Sequence, residues 1–532
     1  MEHTITIEPI GKQLSVPHGH SLMEALRQTD VEFPCGGRGR CGNCRVELLS
    51  GDIAMTEAHA AILRDKGFGP SWRLACLSRV EDDIVIRVPQ GAMSITTDDS
   101  CLSFVPENGL GIAIDLGSTT IVGQLVDMET GTVLRTESGV NPQVAYGADI
   151  ISRISYCIRS GENLKELSAL TRKFIGSAII ENLCRKGDIG RVHRVVIAGN
   201  TVMHHIFAAL DLSPLSVAPF CSPHNEAISF SPSDLNPNLP ADCHVLFLPN
   251  ITHFIGSDIL CGIHRCGMQH SRGWQLLIDL GTNGEMALGC SNRILCASTA
   301  AGPAFEGINI TCGMRAVDGA VYAMDGGADG CPLMHTVADA APRGFCGSGL
   351  VEAVHYLFSN GIIDFTGAFT DAAAYDSVTL QAGSAACVDN DTIMDSPAGT
   401  LPTRFYFDNN VFLDIQDVRE FQLAKAALSA GVDILMEQAG ITADDIENIC
   451  ITGGLGYYAN IEKMQQLGMF EQFRKERFRK LPNSSLAGAK ELLFRSSQSE
   501  VESILSIVEH CPLESIAAFQ NIFCEKMFFP FM

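Results

Sequence analysis

The chain has 532 residues, room for about two to four domains with their own cores, and a formal net charge of −24 that argues against nucleic acid, whose phosphates require a basic footprint. No run of eighteen apolar residues appears, so no membrane span is expected, and the opening "MEHTITIEPIGKQLSV" lacks the basic-then-apolar layout of a signal peptide. The reading is a soluble, cytoplasmic protein whose twenty cysteines, scattered through apolar runs, are mostly small buried hydrophobes.

Residues 1–92 are nearly neutral and read as a compact α+β unit. Alternation predicts strands over 3–8 and 12–16, "SLMEALRQT" a short helix, and "CRVELLSG" and "DIVIRV" two further strands. Between the helix and the third strand lies "FPCGGRGRCGNCRVELLSG", with Cys35, Cys41 and Cys44 spaced C-x5-C-x2-C, and "WRLACLSRV" adds Cys76. Four thiolates in this arrangement are what an iron–sulfur cluster requires, and the glycines let backbone N–H groups approach its sulfides. Zinc also uses C-x2-C, but a zinc ribbon normally shows two such knuckles and this region has one. The pattern resembles the 2Fe-2S ferredoxins of the β-grasp type. That resemblance implies a 2Fe-2S cluster on Cys35, Cys41, Cys44 and Cys76, and a one-electron carrier; the five-residue first gap is that of the adrenodoxin-like branch. Arg38, Arg40, Arg45, Arg73 and Arg79 crowd the cysteines in sequence, which suits either an acidic redox partner or a solvated loop of hydrogen-bonding arginines.

Residues 93–108 lack a steady period and read as a linker in which Cys101 is incidental. A repeat follows. "GIAIDLGSTTIVGQLVD" (111–127) and "LLIDLGTNGEMALG" (276–289) share an apolar run, Asp, an apolar residue, Gly, a hydroxyl residue and a second apolar run, which is strand, tight turn, strand twice over. An Asp at the end of such a strand can hold Mg2+ through water, while the turn offers N–H groups to phosphate oxygens. Asp115, Gly117, Ser118, Thr119 and Thr120 form the first set; Asp279, Gly281, Thr282, Asn283, Gly284 and Glu285 form the second. In "IENICITGGLGYYAN" a buried strand runs into Gly453, Gly454 and Gly456, whose backbone can lie against a flat ligand such as adenine or ribose.

Two such hairpins followed by strand-GGLG resemble the ASKHA superfamily of kinases, chaperones and actin. The resemblance covers residues 109–532 and implies an α/β core of two ribonuclease-H-like lobes, 109–268 and 269–532, that bind ATP and Mg2+. A 2Fe-2S domain fused to an ASKHA core, with stretches such as "NPQVAYGADIISRI", "AGNTVMHHIF", "STAAGPAFEGINITCGMRA", "GFCGSGLVEAV" and "DIQDVREFQLAKAAL", resembles the reductive activators of corrinoid proteins. That family implies an ATPase that returns cob(II)amide to cob(I)amide in a methyltransferase system, with a corrinoid protein as partner, an external low-potential electron donor, and a homodimer left open. Members often carry an extra domain between ferredoxin and core, where this chain has only the short linker. The competing readings are an ATP-driven electron donor to another low-potential enzyme, a redox-linked small-molecule kinase, and an electron carrier with a non-catalytic core.

Asp115, Asp279 and Glu285 are the candidate catalytic carboxylates, positioning water and Mg2+, with capping of turn N–H groups as the competing role. Asn200 and Thr201 follow a buried strand and are candidates for the cleft. His204 and His205 are adjacent on a helix and cannot point the same way, so packing is the reading preferred over metal. Cys312 and Cys346 lack a second thiol at ligand spacing and read as structural. Lys425, in a helix expected to end at Gly440, reads as a surface lysine.

Overall fold

The computed structural model of the chain describes residues 2–8, 12–26, 44–65, 68–87, 104–147, 149–185, 187–218, 220–281, 283–326, 332–370, 404–408 and 410–531. Cys35, Cys41, Thr282, Arg38, Arg40, Cys101 and most of the expected linker lie outside the described residues.

The N-terminal alternation makes β1 (Glu2–Glu8) and β2 (Lys12–Pro17), paired antiparallel from Glu2↔Pro17 to Ile7↔Lys12. With β3 (Arg45–Ser50), β4 (Trp72–Leu74) and β5 (Ile84–Arg87) they form one sheet in the order β2-β1-β5-β3-β4, in which β1 and β5 run parallel. Ile5 and Ile7 are buried while Thr4 and Thr6 are half-exposed, as a one-sided strand requires. Leu22 and Leu26, four residues apart in the helix Leu22–Leu26, share its inner face. A helix at Glu57–Asp65 and the three-residue β4 are elements the periodicity did not reveal; β4 is too short to carry a period.

The chain forms two compact units. The first holds this sheet, continues to Asp258 and includes the late segment Ala489–Gln498; the second holds Ile259–Gly488 and the residues from Ser499 onward. In the first, β6 (Leu110–Leu116), β7 (Thr120–Asp127), β8 (Val133–Val140), β9 (Val192–Gly199), β10 (Ile228–Phe230) and β11 (His244–Phe247) build a sheet in the order β8-β7-β6-β9-β11-β10. In the second, β12 (Trp274–Leu280), β13 (Gly284–Cys290), β14 (Arg293–Thr299), β15 (Ile446–Thr452), β16 (Phe478–Lys480) and β17 (Val508–His510) run β16-β15-β12-β13-β14-β17. Both sheets share one plan: three antiparallel strands in a meander, with the first strand also parallel to the fourth, and the fourth parallel to a further strand, β11 in the first unit and β16 in the second; β10 pairs antiparallel with β11 at the edge. The sequence pattern explains the placement. "LGIAIDL" is buried on both faces except at Asp115 and becomes central, while β8, with no fully buried residue, becomes the edge next to β7.

Three helices matter for the site. In the first unit α1 (Thr201–Ala208) follows β9, with Asn200 as its N-cap. In the second, α3 (Ile415–Ala439) starts from a capping box between Asp414 and Asp417 and ends at Gly440 with φ +70°, as expected, and α4 (Gly453–Tyr458) follows β15 directly. Helix α2 (Ser257–Cys266) spans the point where the chain leaves one unit for the other.

Candidate nucleotide and cluster sites

Of the four sequence-predicted cluster ligands, the two described ones converge. Cys44 precedes β3 and Cys76 follows β4; the antiparallel pairing Arg45↔Leu74 sets both at the same end of the sheet, and the Ala75 N–H donates to the Cys44 carbonyl at 2.9 Å. Both are unoxidised, Cys44 buried and Cys76 half-buried, which suits thiolates held against a compact inorganic group. The described neighbouring arginines are engaged locally. Arg73 donates to the Ile53, Pro70 and Trp72 carbonyls, Arg79 to Gly19 O, and Arg45 lies 4.4 Å over the Phe68 ring. These contacts engage Arg45, Arg73 and Arg79 within the domain, while Arg38 and Arg40 lie outside the described residues.

The first hairpin turn is braced from below. Gly117 N–H donates to Thr120 O at 3.0 Å, and a Cβ at Gly117 would stand 2.6 Å from that same oxygen. Asn141 donates its backbone N–H to Thr119 O and its Nδ2 to Gly117 O, both at 2.8 Å. Arg153, fully buried, donates to Ser118 O, to Gly147 O at 2.8 Å and to Gln143 Oε1 at 3.3 Å, and Gln143 Nε2 in turn donates to Thr171 Oγ1 at 2.7 Å. Asn200 Nδ2 reaches the Ser118 hydroxyl at 2.9 Å while its Oδ1 caps Met203 N–H. Asp115, half-buried, lies beside Ala198 on β9. Sequence reasoning singled out this segment without assigning roles to Asn141, Gln143 or Arg153, because the three are brought under the turn only by the fold.

The second hairpin carries an extra carboxylate. Asp279 on β12 pairs in register with Glu285 on β13 and, on its other side, with Thr452 on β15. Residues directly opposite across antiparallel strands point to one face, so two carboxyl groups stand side by side there, Glu285 buried and Asp279 half-buried. Gly453, at φ +86°, follows Thr452 so closely that a Cβ would come within 2.5 Å of Asp279 Oδ1. A Cβ at Gly454 would meet nothing within 4 Å beyond its own chain neighbours and helix backbone, and one at Gly281 would have Asp279 Oδ1 as its nearest contact at 3.5 Å. The other glycines turn inward: Gly456 packs on Ile451 and Gly284 on Leu428 and Thr299, so their freedom serves packing. Asn283 is half-buried at the turn. In sheet position "IAGNT" of the first unit and "ITGGL" of the second are equivalent, each leaving the strand parallel to the one that bears the Asp.

The remaining candidates sort by burial. Lys425 is a correction: it is 1 % exposed, donates to Phe528 O at 2.7 Å, and burial pushes its ammonium down to about 8. His204 and His205 are both fully buried; His204 packs edge-on to Phe247, and His205 meets Thr201 O at 2.7 Å and Ser222 Oγ at 2.6 Å. Cys312 and Cys346 donate to the Asn410 and Val321 carbonyls. Asp417 accepts from Thr311 N–H at 2.7 Å and ties the "GINITCGM" loop to the start of α3; desolvation and neighbouring Asp414 push it up to about 7. Among the described residues no group of three His, Cys, Asp or Glu side chains forms a metal site, and no helix is long and apolar enough to cross a membrane.

Comparison with known proteins matches this layout. A family described as the 2Fe-2S iron-sulfur cluster binding domain covers residues 5–81, the RACo middle region covers 110–271, and the C-terminal domain of RACo, the ASKHA domain, covers 273–532. A corrinoid activation enzyme, RamQ of Eubacterium limosum, is 31 % identical over 449 residues, which is 82 % of this chain and 74 % of that protein. A reductase of a methylated amine-specific Co(II) corrinoid protein from Methanosarcina barkeri is 26 % identical over 78 % of this chain and 76 % of its own. A solved reductive activator for a corrinoid, iron–sulfur protein superposes with a TM-score of 0.68 at 25 % identity, over 99 % of this chain and 98 % of that one.

Proposed function

This chain belongs to the reductive activators of corrinoid proteins, a 2Fe-2S domain followed by an ASKHA core, and from that premise we propose that it uses ATP to return a cob(II)amide protein to the cob(I)amide state needed for methyl transfer. The observation that carries the ATP dependence is the second hairpin, where Asp279, Glu285 and the close-packed Gly453 meet beside open backbone at Gly281 and Gly454.

Cys35, Cys41, Cys44 and Cys76 would hold a 2Fe-2S cluster, which when bound supplies one-electron chemistry. The shared position of Cys44 and Cys76 at one sheet end fits that group. Asp115 and Asp279 would hold Mg2+ through water, and Glu285 would orient the attacking water; the metal supplies charge neutralisation at the phosphates. Gly117, Ser118, Thr119 and Thr120 in the first unit, with Gly281, Thr282, Asn283 and Gly284 in the second, present the phosphate-facing turns, and Gly453, Gly454 and Gly456 form the adenosine-side element, Gly456 by letting α4 close on Ile451. Asn141, Gln143 and Arg153 hold the first turn rigid, so that its N–H groups need no reorganisation when phosphate binds.

The chain's task is thermodynamic. For one electron, each 59 mV of shortfall is tenfold in the equilibrium constant, so about 3 to 5 kcal/mol from an ATP-linked change offsets roughly 130 to 210 mV. The partner is the corrinoid protein; an external low-potential donor refills the N-terminal domain. Anaerobic optical spectroscopy of a cob(II)amide protein with this chain and reductant, with and without Mg-ATP, tests the reading. A cob(I)amide band that grows only with ATP supports it. Equal growth without ATP refutes the motor role.

A further inference from the structure

Helix α2 lies on β12 so closely that a Cβ at Gly262 would meet Leu277 Cδ2 at 2.6 Å. Leu277 is the register partner of Cys450 on the adjacent parallel strand β15. Cys266 stands one helical turn beyond Gly262 on the same face, on the side of the sheet that carries Leu277 and Cys450, and its thiol is the neighbour that acts most strongly on the thiol of Cys450. Both cysteines are unoxidised, Cys450 buried at 5 % exposure and Cys266 half-buried.

We propose that Cys266 and Cys450 form an oxidisable dithiol that closes to a disulfide on meeting a small-molecule disulfide, and that the closed form restrains the strand end presenting Gly453 and Gly454. The second half of this inference rests on the nucleotide reading above. Cys450 lies three residues before Gly453, and its register partner Leu277 two before Asp279, so a staple at this level acts at the root of both strands that carry the site.

The chemistry is thiol–disulfide exchange. The thiolate of the more accessible Cys266 attacks one sulfur of the small disulfide, whose S–S bond breaks and releases one thiol. Cys450 then attacks the Cys266 sulfur of the mixed disulfide and expels the second thiol. Two electrons and two protons leave the pair and reduce one small disulfide to two thiols. Cys266 takes the first step because it is the more accessible of the two; its interaction with Cys450 pulls the Cys450 thiol below its ordinary value despite burial, which readies Cys450 for the second attack, whereas desolvation pushes Cys243 and Cys157 up to about 12.

The test exposes the full, cluster-bearing chain to oxidised glutathione, alkylates the remaining thiols and maps the digest by mass spectrometry. A Cys266–Cys450 peptide is expected as the main new cross-link. Cys450→Ser should stop at a glutathione adduct on Cys266, and Cys266→Ser should leave Cys450 unmodified. The cross-linked wild type should bind ATP at least about threefold more weakly, with dithiothreitol restoring affinity. A wild-type map lacking that link, or Cys450 modified as readily without Cys266, overturns the dithiol. Unchanged ATP affinity in the cross-linked protein overturns the restraint. A reduced wild type that binds no ATP, yet still cross-links, refutes the nucleotide reading instead, because the link is read by mass alone.

Discussion

Gly453 and Gly454 are adjacent, yet they predict opposite outcomes when each is changed to Ala. At Gly453 the new methyl group would stand 2.5 Å from Asp279 Oδ1 and 2.7 Å from Leu280 O, on a backbone at φ +86°. The left-handed conformation costs about 1–2 kcal/mol for an L-residue, and overpacking against a backbone oxygen adds about 1–3. The total of about 2–5 kcal/mol translates, at about 2–4 °C per kcal/mol for a unit of this size, into a melting point lower by about 4–20 °C. At Gly454 a Cβ would meet nothing within 4 Å beyond its own chain neighbours and helix backbone, so Ala fits, and Gly→Ala in a helix is neutral or stabilising by up to about 1 kcal/mol. Its methyl group would occupy the space assigned to adenosine, and a loss of about 1.4 kcal/mol or more makes ATP binding at least tenfold weaker. Thermal unfolding followed by circular dichroism, with ATP affinity from calorimetry, reads both quantities. A Gly454→Ala protein that binds ATP like wild type would remove this backbone from the nucleotide site, and an unshifted Gly453→Ala melting point would refute the packing argument.

Three further outcomes follow from the geometry. Arg153→Met strips buried acceptors at Ser118, Gly147 and Gln143 of their donor, at about 1–3 kcal/mol each, so stability should fall by about 3 kcal/mol or more and ATP affinity with it; normal ATP affinity in a folded variant would show that the first turn needs no brace. Cys76→Ser should abolish the visible absorption of the cluster while Cys184→Ser, a thiol that burial pushes up to about 11, should leave it unchanged; retained absorption in Cys76→Ser would exclude that ligand. His204 is held neutral by burial, down to about 4, so the folded state disfavours its proton. The stability this confers is present above about pH 6.5 and is lost as pH falls through about 4, a swing of about 3 kcal/mol. Urea unfolding at pH 7, 5.5 and 4 should show it, and His204→Leu should flatten that part of the profile; an identical profile would assign acid sensitivity elsewhere.

The sequence foretold what local pattern encodes. The two hairpins, the GG element and α3 with its Gly440 terminus lie where apolar runs and turn residues put them, since a strand buried on both faces and a glycine of positive φ leave local marks. It was silent where the proposed site depends on residues distant in sequence. Arg153 reads as one more polar helix position until the fold sets it beneath Ser118, thirty-five residues away. Lys425 misled for a related reason: α3 buries residues around much of its circumference, so no polar stripe marks which side faces water. That "IAGNT" stands in the first unit where "ITGGL" stands in the second appears only from strand order, because the two share little beyond a strand and one glycine.

The late segment Ala489–Gln498 has a consequence for how the protein is made. Leu493 would be met at 3.0 Å by a Cβ at Gly111 on β6, Arg194 donates to the Leu493 carbonyl, Phe494 packs on Phe104 with ring centroids 4.4 Å apart, and Glu107 accepts from Arg495 N–H at 2.6 Å. The first unit thus emerges from the ribosome missing part of its own core, and the closing piece is synthesised about 230 residues after Asp258. At typical elongation speeds that is a delay of about 10–50 s, during which the apolar ground around Gly111 and Phe104 stays uncovered. A message truncated before codon 489 should therefore yield a first unit that recruits chaperones or aggregates, although every strand of its sheet has been translated.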